Sequence, residues 1–270
     1  MSYKEGWNLS DRVAIVTGGT GVLGSRFCSA LASFGAKVII TDKNYDSCEY
    51  LANKIWRDYR VEADPVELNL ANEIEIISFS KKIIEKYKKI DILVNNAAVK
   101  APGFFRPLED YDLATWHQVM DVNVTSIFLM AREIGSSMAS NKSGSIINLS
   151  SIYGIGGVDQ RIYPKGDVDN EGLQIHTPMV YAASKGAIVS MTKYMATYWG
   201  SMGLRANCII PGGVRTLQSE SFINNYSLKV PMGRMAEADE LTGALIFLAS
   251  DASSYINGQS IIVDGGFTSW

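Results

Sequence analysis

The sequence predicts a single-domain α/β protein built on a doubly wound, seven-stranded parallel sheet with helices on both faces. Apolar runs of strand length alternate with longer segments of helical period, which is the pattern of successive βαβ units. The apolar runs consist largely of consecutive Ile, Val and Leu, as in strands that are buried on both faces. A glycine-rich run at 17–24 lies between the first strand and the first helix, where many doubly wound folds carry one.

The strands are predicted, in chain order, at 13–16, 37–41, near 65–68, 90–94, 145–149, 205–210 and 260–263. Pro65 has no N–H to donate to a central ladder, so the third strand is predicted at an edge of the sheet. A strand order that begins 3-2-1-4 places it there.

Helices are predicted at about 22–34, 45–60, 72–88, 112–138, 179–202 and 237–250. Two segments, 155–178 and 217–234, are polar, contain turn residues and follow strand ends. Long loops at such positions commonly form the substrate pocket of an α/β enzyme. Nothing in the pattern requires a second domain, so 1–270 is interpreted as one unit with two loop insertions.

Charge and cysteine content exclude several classes of partner. The 25 basic and 28 acidic residues are interleaved, with a net charge of −3, and they form no basic stripe of the kind that binds nucleic acid or anionic membranes. Cys28, Cys48 and Cys208 have neither disulfide nor zinc spacing, which favours a reducing compartment. No His/Cys/Asp grouping indicates a metal. Residues 1–11 lack a signal-peptide pattern, and we expect a cytoplasmic protein.

The glycine-rich run indicates a dinucleotide site. Its context, after a strand and before a helix, separates it from an ordinary loop. Gly18, Thr20, Gly21 and Leu23 lie in this run. Glycines allow a tight turn and let backbone N–H groups approach a pyrophosphate at the positive end of the helix.

Asp42 bears on which dinucleotide is bound. It ends the second strand, eighteen positions after Gly24, where a carboxylate can accept both ribose hydroxyls and repel a 2′-phosphate. NAD is therefore favoured over NADP. Lys43 could instead partner a phosphate, and Asp42 could simply cap the next helix.

Tyr181 and Lys185 are separated by one helical turn within a predicted helix and so share a face. A cation beside a phenol favours the phenolate, so we expect the pKa of Tyr181 to be lowered toward neutrality and Tyr181 to act as a general acid/base. The spacing alone is weak evidence, since Tyr50 and Lys54 repeat it.

Together these motifs resemble the short-chain dehydrogenase/reductase family over essentially the whole chain. The resemblance also rests on Asn95-Asn-Ala-Ala98, Asn123 in Val-Asn-Val, Ser150-Ser151, Pro211-Gly-Gly-Val-Arg-Thr216 and Val263-Asp-Gly-Gly-Phe267, each following a predicted strand or lying on a predicted helix in the family's order. It implies a Rossmann-type fold, a nicotinamide cofactor and the interconversion of an alcohol and a ketone.

The resemblance also implies roles for single residues. Tyr181 would exchange a proton with the substrate oxygen. Lys185 would hold the nicotinamide ribose and, together with the positively charged oxidised nicotinamide ring, lower the Tyr181 pKa. Ser151 would orient the substrate oxygen, and Asn123 would bind a water that links Lys185 to solvent. Ser151 could otherwise be a turn residue and Asn123 a helix-bend residue. The remaining implied cofactor contacts are Asn69 and Leu70 at the adenine, Asn95 and Ala97 at the adenosine ribose, and Pro211, Val214 and Thr216 at the carboxamide.

Two departures from the family pattern qualify this interpretation. Val22 occupies the usual place of the second glycine, as in extended family members that include sugar epimerases and dehydratases, although little chain remains here for their additional domain. Ser151 and Tyr181 are thirty positions apart, more than twice the usual separation. The polar insertion, with His176, predicts a polar pocket wall and a polyhydroxylated substrate; it could instead be a solvated excursion.

The insertion resembles that of members linked to bacterial surface-sugar and nonulosonic-acid biosynthesis, and the chain is similar to gluconate 5-dehydrogenase-like members. The preferred hypothesis is an NAD-dependent oxidoreductase of a sugar-like small molecule. The alternatives are a nicotinamide-retaining sugar epimerase or dehydratase and a non-catalytic dinucleotide-binding regulator. The resemblance also implies a homo-oligomer, a tetramer or dimer formed through helices 112–138 and 179–202 and through the C-terminal strand.

Overall fold

A parallel sheet runs through the computed structural model, which describes residues 5–270. Within these residues its seven strands are β1 Val13–Thr17, β2 Lys37–Asp42, β3 Ala63–Glu67, β4 Ile92–Asn95, β5 Gly144–Leu149, β6 Leu204–Pro211 and β7 Ser260–Val263. Their spatial order is β3-β2-β1-β4-β5-β6-β7, with every pairing parallel. The predicted fold class and strand order are confirmed.

The helices follow the predicted intervals closely. They are α1 Val22–Ser33, α2 Tyr45–Tyr59, α3 Glu73–Tyr87, α4 Leu113–Met120, α5 Ser126–Met130, α6 Ser136–Ser140, α7 Met179–Trp199, α8 Glu220–Ser227 and α9 Thr242–Ala249. The helix α8 lies in a segment for which the sequence predicted no element. Asn44 and Asn72 cap the N-termini of α2 and α3 with their side chains.

Two apolar layers, one on each face of the sheet, hold the helices in place. Successive strand residues alternate between them: Ile15 joins the layer that contains α3, α5 and α7, and Val16 joins the layer that contains α1, α2 and α9. Because both faces are covered, the central strands carry the uninterrupted apolar runs from which the fold class was predicted.

Pro65 lies opposite Ile40 in the pairing of β3 with β2, and β3 is an edge strand. The prediction from the missing proline N–H is therefore confirmed. The edge position leaves the carboxyl ends of β1, β4, β5 and β6 side by side in the middle of the sheet.

The segment predicted as one helix at 112–138 contains two π-helical turns, Asp121–Thr125 and Ala131–Gly135, between α4, α5 and α6. A π turn places an extra residue in the helix and is frequent at functional sites. Asn123 lies in the first of these turns and is fully buried.

Over residues 5–270, no helix combines the length and apolar character required to cross a membrane. Residues 1–4 of the amino-terminal stretch considered in the sequence analysis lie outside the described part of the chain. The cysteines Cys28, Cys48 and Cys208 are buried as free thiols.

Candidate active site

The glycine-rich turn joins β1 to α1 at the point where the strand order reverses. Gly18 has a φ of +61°, and a Cβ there would lie 2.9 Å from the Cα of Ala97. A Cβ on Gly24 would lie 2.0 Å from the Gly18 carbonyl oxygen. Side chains are thus excluded at Gly18 and Gly24, and no side chain caps α1 at Gly21. The backbone N–H groups at this helix end can therefore receive a pyrophosphate.

Asp42 faces the glycine turn from the end of β2. Its carboxylate accepts hydrogen bonds from the Thr20 backbone N (3.0 Å), the Thr20 hydroxyl and the Lys43 backbone N (2.8 Å). The N-terminus of α2 is capped by Asn44, so the alternative in which Asp42 caps that helix is wrong. Asp42 remains available as an acceptor beside the turn.

Asn95 is the last residue of β4 and Asn96 follows it, but their side chains point in different directions. Asn95 is buried, and its Nδ2 donates to Asn148 Oδ1 (2.8 Å) instead of facing the cleft. Asn96 Nδ2 donates to the carbonyl oxygens of Thr17 and Gly18 (both 3.0 Å). The pleat of β4 turns the Asn95 side chain into the protein, so the contact of Asn95 with the ribose stays a prediction for its backbone. Asn96, which the sequence analysis did not select, faces the glycine turn.

Ser151, Tyr181 and Lys185 converge at the carboxyl end of β5. Lys185 Nζ lies 5.7 Å from the centroid of the Tyr181 ring and donates to the Leu149 carbonyl oxygen (2.8 Å). The turn after Ser151 packs tightly on α7, since a Cβ on Gly154 would lie 2.6 Å from the Lys185 carbonyl. The fold therefore brings together a phenol, a hydroxyl and an amine.

The electrostatics of this group differ from the sequence-based expectation. Burial raises the pKa of Tyr181, and a hydrogen bond with Ser151 opposes part of the rise. Burial also lowers the pKa of Lys185 to about 8. Lys185 thus loses its proton more readily than an exposed lysine, and its Nζ lies over the Tyr181 ring and donates to the Leu149 carbonyl. The expected lowering of the Tyr181 pKa is therefore wrong for the free protein.

Asn123 connects the π turn to the neighbourhood of the site. Its Oδ1 accepts from the Val99 backbone N (3.0 Å), and its Nδ2 donates to Ser184 Oγ (3.2 Å). Ser184 precedes Lys185 in α7, so the side chain of Asn123 ties the loop after β4 to the helix that carries the phenol and the amine.

Ser151, Tyr181 and Lys185 line a cleft of about 490 Å³. The predicted residues that line it are Leu23, Ser151, Tyr181, Lys185, Pro211 and Val214. Thr216 is exposed and lies just before the segment 217–234, which contains α8. Asn69 and Leu70 lie beyond β3, where Asn69 Oδ1 accepts from the Ala71 backbone N (3.1 Å). The turn, the cleft and Asp42 together fit an extended dinucleotide.

The insertion at 155–178 contributes to the roof of the cleft through Tyr163, Asp167, Ile175, His176, Thr177 and Pro178. It lines the cleft, so the solvated-excursion alternative is wrong. The predicted polar wall is only partly formed, because Gln160, Arg161 and Lys165 instead face a neighbouring cavity of about 1120 Å³. Glu171 accepts from the Gly103 backbone N (3.0 Å) and attaches the insertion to the loop after β4.

Tyr50 and Lys54, which repeat the spacing of Tyr181 and Lys185, lie on α2 outside the cleft. Tyr50 is 68% exposed, and Lys54 pairs with Asp58. This second pair is an ordinary solvated helix face. Among residues 5–270 no group of metal-binding side chains is found.

Comparison with known proteins places the chain beside enzymes of one family. Residues 12–163 match the family model described as short chain dehydrogenase, and residues 169–268 match the one described as Enoyl-(Acyl carrier protein) reductase. The chain is 30% identical over 274 residues to gluconate 5-dehydrogenase of Gluconobacter oxydans, covering 99% of each chain. It is 31% identical to D-threitol dehydrogenase of Mycolicibacterium smegmatis, covering 99% of this chain and 97% of the relative.

Solved structures that superpose on this chain are also dehydrogenases. A gluconate 5-dehydrogenase from Burkholderia cenocepacia in complex with NADP and tartrate superposes with a TM-score of 0.85 at 31% identity, covering 98% of both chains. A short chain dehydrogenase from Leptospira borgpetersenii with bound NAD+ superposes with a TM-score of 0.84 at 34% identity, covering 97% of this chain and 94% of the other. The two structures hold different nicotinamide dinucleotides.

Proposed function

The chain belongs to the short-chain dehydrogenase/reductase family, whose members are NAD(P)-linked oxidoreductases of alcohol groups, and we propose that it interconverts a secondary alcohol and a ketone on a sugar-like polyhydroxylated substrate. The observation that carries the proposal is the convergence of the Ser151 and Tyr181 hydroxyls with Lys185 in a cleft that Leu23, at the end of the glycine-rich run, also lines. Sugar-acid and polyol dehydrogenases among the relatives support the substrate class.

We assign the chemistry within this cleft as follows. A bound nicotinamide would accept a hydride from the alcohol carbon or return one to the ketone. Tyr181 exchanges the hydroxyl proton of the substrate, and Ser151 holds the substrate oxygen beside it. Lys185 would donate a hydrogen bond to the cofactor ribose and place its positive charge near the phenol, and Asn123 keeps α7 in register with the loop after β4. A water bound near Asn123 would link Lys185 to solvent.

We propose NAD as the preferred dinucleotide, because Asp42 places a carboxylate where a 2′-phosphate would have to bind. Gly18, Thr20, Gly21 and Leu23 would surround the pyrophosphate and Asn69 and Leu70 the adenine, while Ala97 and the Asn95 backbone would border its ribose. Pro211, Val214 and Thr216 would hold the carboxamide.

We further propose that the protein is a cytoplasmic homo-oligomer. We propose that it acts in carbohydrate metabolism, and within it in polysaccharide biosynthesis. The free thiols suit a reducing compartment. Exposed aromatic side chains on α5 and α7 offer a face for a second copy.

A substrate screen tests this function directly. Purified protein is incubated with NAD or NADP and with gluconate, D-threitol, galactitol and related sugars, and reduced nicotinamide is followed by its absorbance. We expect net reduction with at least one polyol or sugar acid, and higher kcat/KM with NAD. Conversion of a sugar without net reduction of the cofactor would instead indicate an epimerase or dehydratase.

A further inference from the structure

Asp167 is a cleft residue that the proposed chemistry does not use. It lies at the base of a hairpin within the insertion, where Val168 pairs with Gln174 in an antiparallel bridge. The Ile175 backbone N donates to the Asp167 carbonyl oxygen (2.8 Å) and closes this hairpin. The backbone of Asp167 is therefore fixed, and its partly exposed side chain lines the same cleft as Tyr181.

The Asp167 carboxylate is held at one oxygen and available at the other. The hydroxyl of Ser219, the residue that caps the N-terminus of α8, donates to Asp167 Oδ2. Within residues 5–270, Ser219 is the single hydrogen-bond partner of this carboxylate, and neither carboxylate oxygen is a buried atom without a partner. Since Oδ1 is neither paired nor sealed from solvent, it can accept hydrogen bonds from a ligand in the cleft.

Asp167 is also the one acidic side chain that lines the cleft in the described part of the chain. Two lysines line the cleft with it: Lys185, which the proposed chemistry assigns to the cofactor ribose, and Lys100, whose Nζ lies 5.2 Å from the centroid of the Phe105 ring. His176 lines it as well, and its Nδ1 shares a hydrogen bond with a backbone carbonyl oxygen of the insertion (3.1 Å). A carboxylate without a paired cation accepts from substrate hydroxyls and repels an anionic substrate group.

We propose that Asp167 is a specificity-determining residue that selects a neutral polyol over a sugar acid. Its Oδ1 accepts a hydrogen bond from a substrate hydroxyl other than the reacting one, and its charge repels a carboxylate at the same place. Asp167 contacts the substrate from the roof of the cleft, whereas Ser151 and Tyr181 contact the reacting oxygen. The inference rests on the proposed function, since it requires a polyhydroxylated substrate in this cleft.

The substitution Asp167→Asn reverses the hydrogen bonding of this group while it keeps the group's shape. The amide oxygen of the variant can still accept from Ser219, so the variant should melt within about 3 °C of the wild type. The amide NH₂ then takes the place of Oδ1 and donates where the carboxylate accepted. The variant therefore disfavours the polyol, and it removes the repulsion of a sugar acid.

Pairs of substrates that differ in one terminal group measure this selection. D-threitol is paired with D-threonate, and galactitol is paired with D-galactonate and L-galactonate, whose carboxylates lie at opposite ends of the same carbon chain. In at least one pair the wild type should prefer the polyol by about 10–100-fold in kcat/KM. Asp167→Asn should lower that preference by at least about 10-fold.

Two further variants separate the charge of Asp167 from its contact with α8. Ser219→Ala removes the hydrogen bond but keeps the carboxylate, so the wild-type preference should persist within about 3-fold. Asp110→Asn removes an exposed carboxylate outside the cleft and should match the wild type.

Four results overturn the proposal. They are a wild type that uses every acid as efficiently as its polyol, an unchanged preference in Asp167→Asn, an equal loss of this variant on every substrate, and the same shift in Ser219→Ala. Failure of the proposed function looks different: the wild type itself then oxidises no polyol or sugar acid, and the assignment of Asp167 falls with it.

Discussion

Burial disturbs the protonation of Lys185, which lies in the cleft. It is fully enclosed in the protein, its Nζ donates to the Leu149 carbonyl, and burial lowers its pKa to about 8. Around neutral pH the free protein therefore holds a buried, charged ammonium, which lowers its free energy of unfolding. Site residues often carry such a cost, since the same group later serves a charged cofactor or transition state.

Replacing Lys185 by Met should remove a pH dependence of stability. Between pH 8 and the unfolded-state value of 10.5 the unfolded chain binds a proton that the folded chain has released, so wild-type stability gains from rising pH. Relative to Lys185→Met, the wild-type free energy of unfolding should rise by about 1 kcal/mol per pH unit over this window. Denaturant unfolding at several pH values measures this difference. A difference that does not change with pH would show that the lysine is not desolvated.

Asp42 provides the second residue-scale prediction. Asp42→Ala removes the carboxylate that opposes a 2′-phosphate, so kcat/KM with NADP should rise by about 10-fold and that with NAD should fall by a similar factor. Asp46→Ala, which removes an exposed carboxylate from α2, is the matched control and should leave the preference unchanged. An unaltered ratio of NAD to NADP efficiency in Asp42→Ala would contradict the role assigned to this carboxylate.

At the scale of elements, the insertion at 155–178 and the segment 217–234, which contains α8, form one roof over the cleft. Asp159 pairs with Lys229 (3.1 Å), Asn225 Nδ2 donates to the Ile162 carbonyl (3.2 Å), and the Ser219 hydroxyl donates to Asp167. The rings of Tyr163 and Phe222 are 5.1 Å apart. These contacts attach two long loops to each other, so we expect them to open together when substrate enters.

Removing two of these contacts from the α8 side should loosen the roof. In Lys229→Ala/Asn225→Ala, amide hydrogen exchange over residues 219–230 should accelerate by about 5–30-fold, since each of the two polar contacts contributes only about 0.5–1 kcal/mol. The substrate KM should rise while cofactor affinity stays unchanged. Asn224→Ala, an exposed position on the same helix, should exchange like the wild type. Equal exchange in all three proteins would show that the segment 217–234 is held by other contacts.

The regular elements were predictable because each follows from one local property. Uninterrupted apolar runs predicted the central strands, Pro65 predicted the edge, and the context of Gly18 to Gly24 predicted the dinucleotide turn. The direction of a single side chain was harder to predict from the sequence. Whether Asn95 or Asn96 faces the glycine turn depends on where the pleat of β4 ends. The pKa values of Tyr181 and Lys185 depend on burial, which spacing along a helix does not report.

The helix α8 and the π turns could not be predicted for a different reason. The amphipathic pattern of α8 is short, and its buried residue Tyr226 packs on Phe267, which is distant in the chain. The π turn at Asn123 is held by contacts to Val99 and Ser184. Long-range packing determines both features, and local sequence carries little information about it.

At the scale of the whole molecule, the exposed aromatic face of α7 predicts association. Tyr194 and Tyr198 are 66% and 61% exposed and stack on each other at 5.6 Å, and exposed aromatic clusters are typical of interfaces. Tyr194→Glu/Tyr198→Glu should reduce the mass measured by light scattering to that of a smaller assembly. Tyr50→Glu, at an equally exposed tyrosine on α2, should keep the wild-type mass. A monomeric wild type would contradict the proposed oligomer.

The central claim is that Tyr181 handles the substrate proton while the bound dinucleotide exchanges hydride with the substrate. The most direct measurement is turnover of Tyr181→Phe on the best substrate, followed by nicotinamide absorbance, together with cofactor affinity from titration. The account predicts a loss of about 10³-fold in kcat with unchanged affinity for NAD, and wild-type behaviour in the control Tyr50→Phe. Turnover of Tyr181→Phe within about 10-fold of the wild type would contradict it.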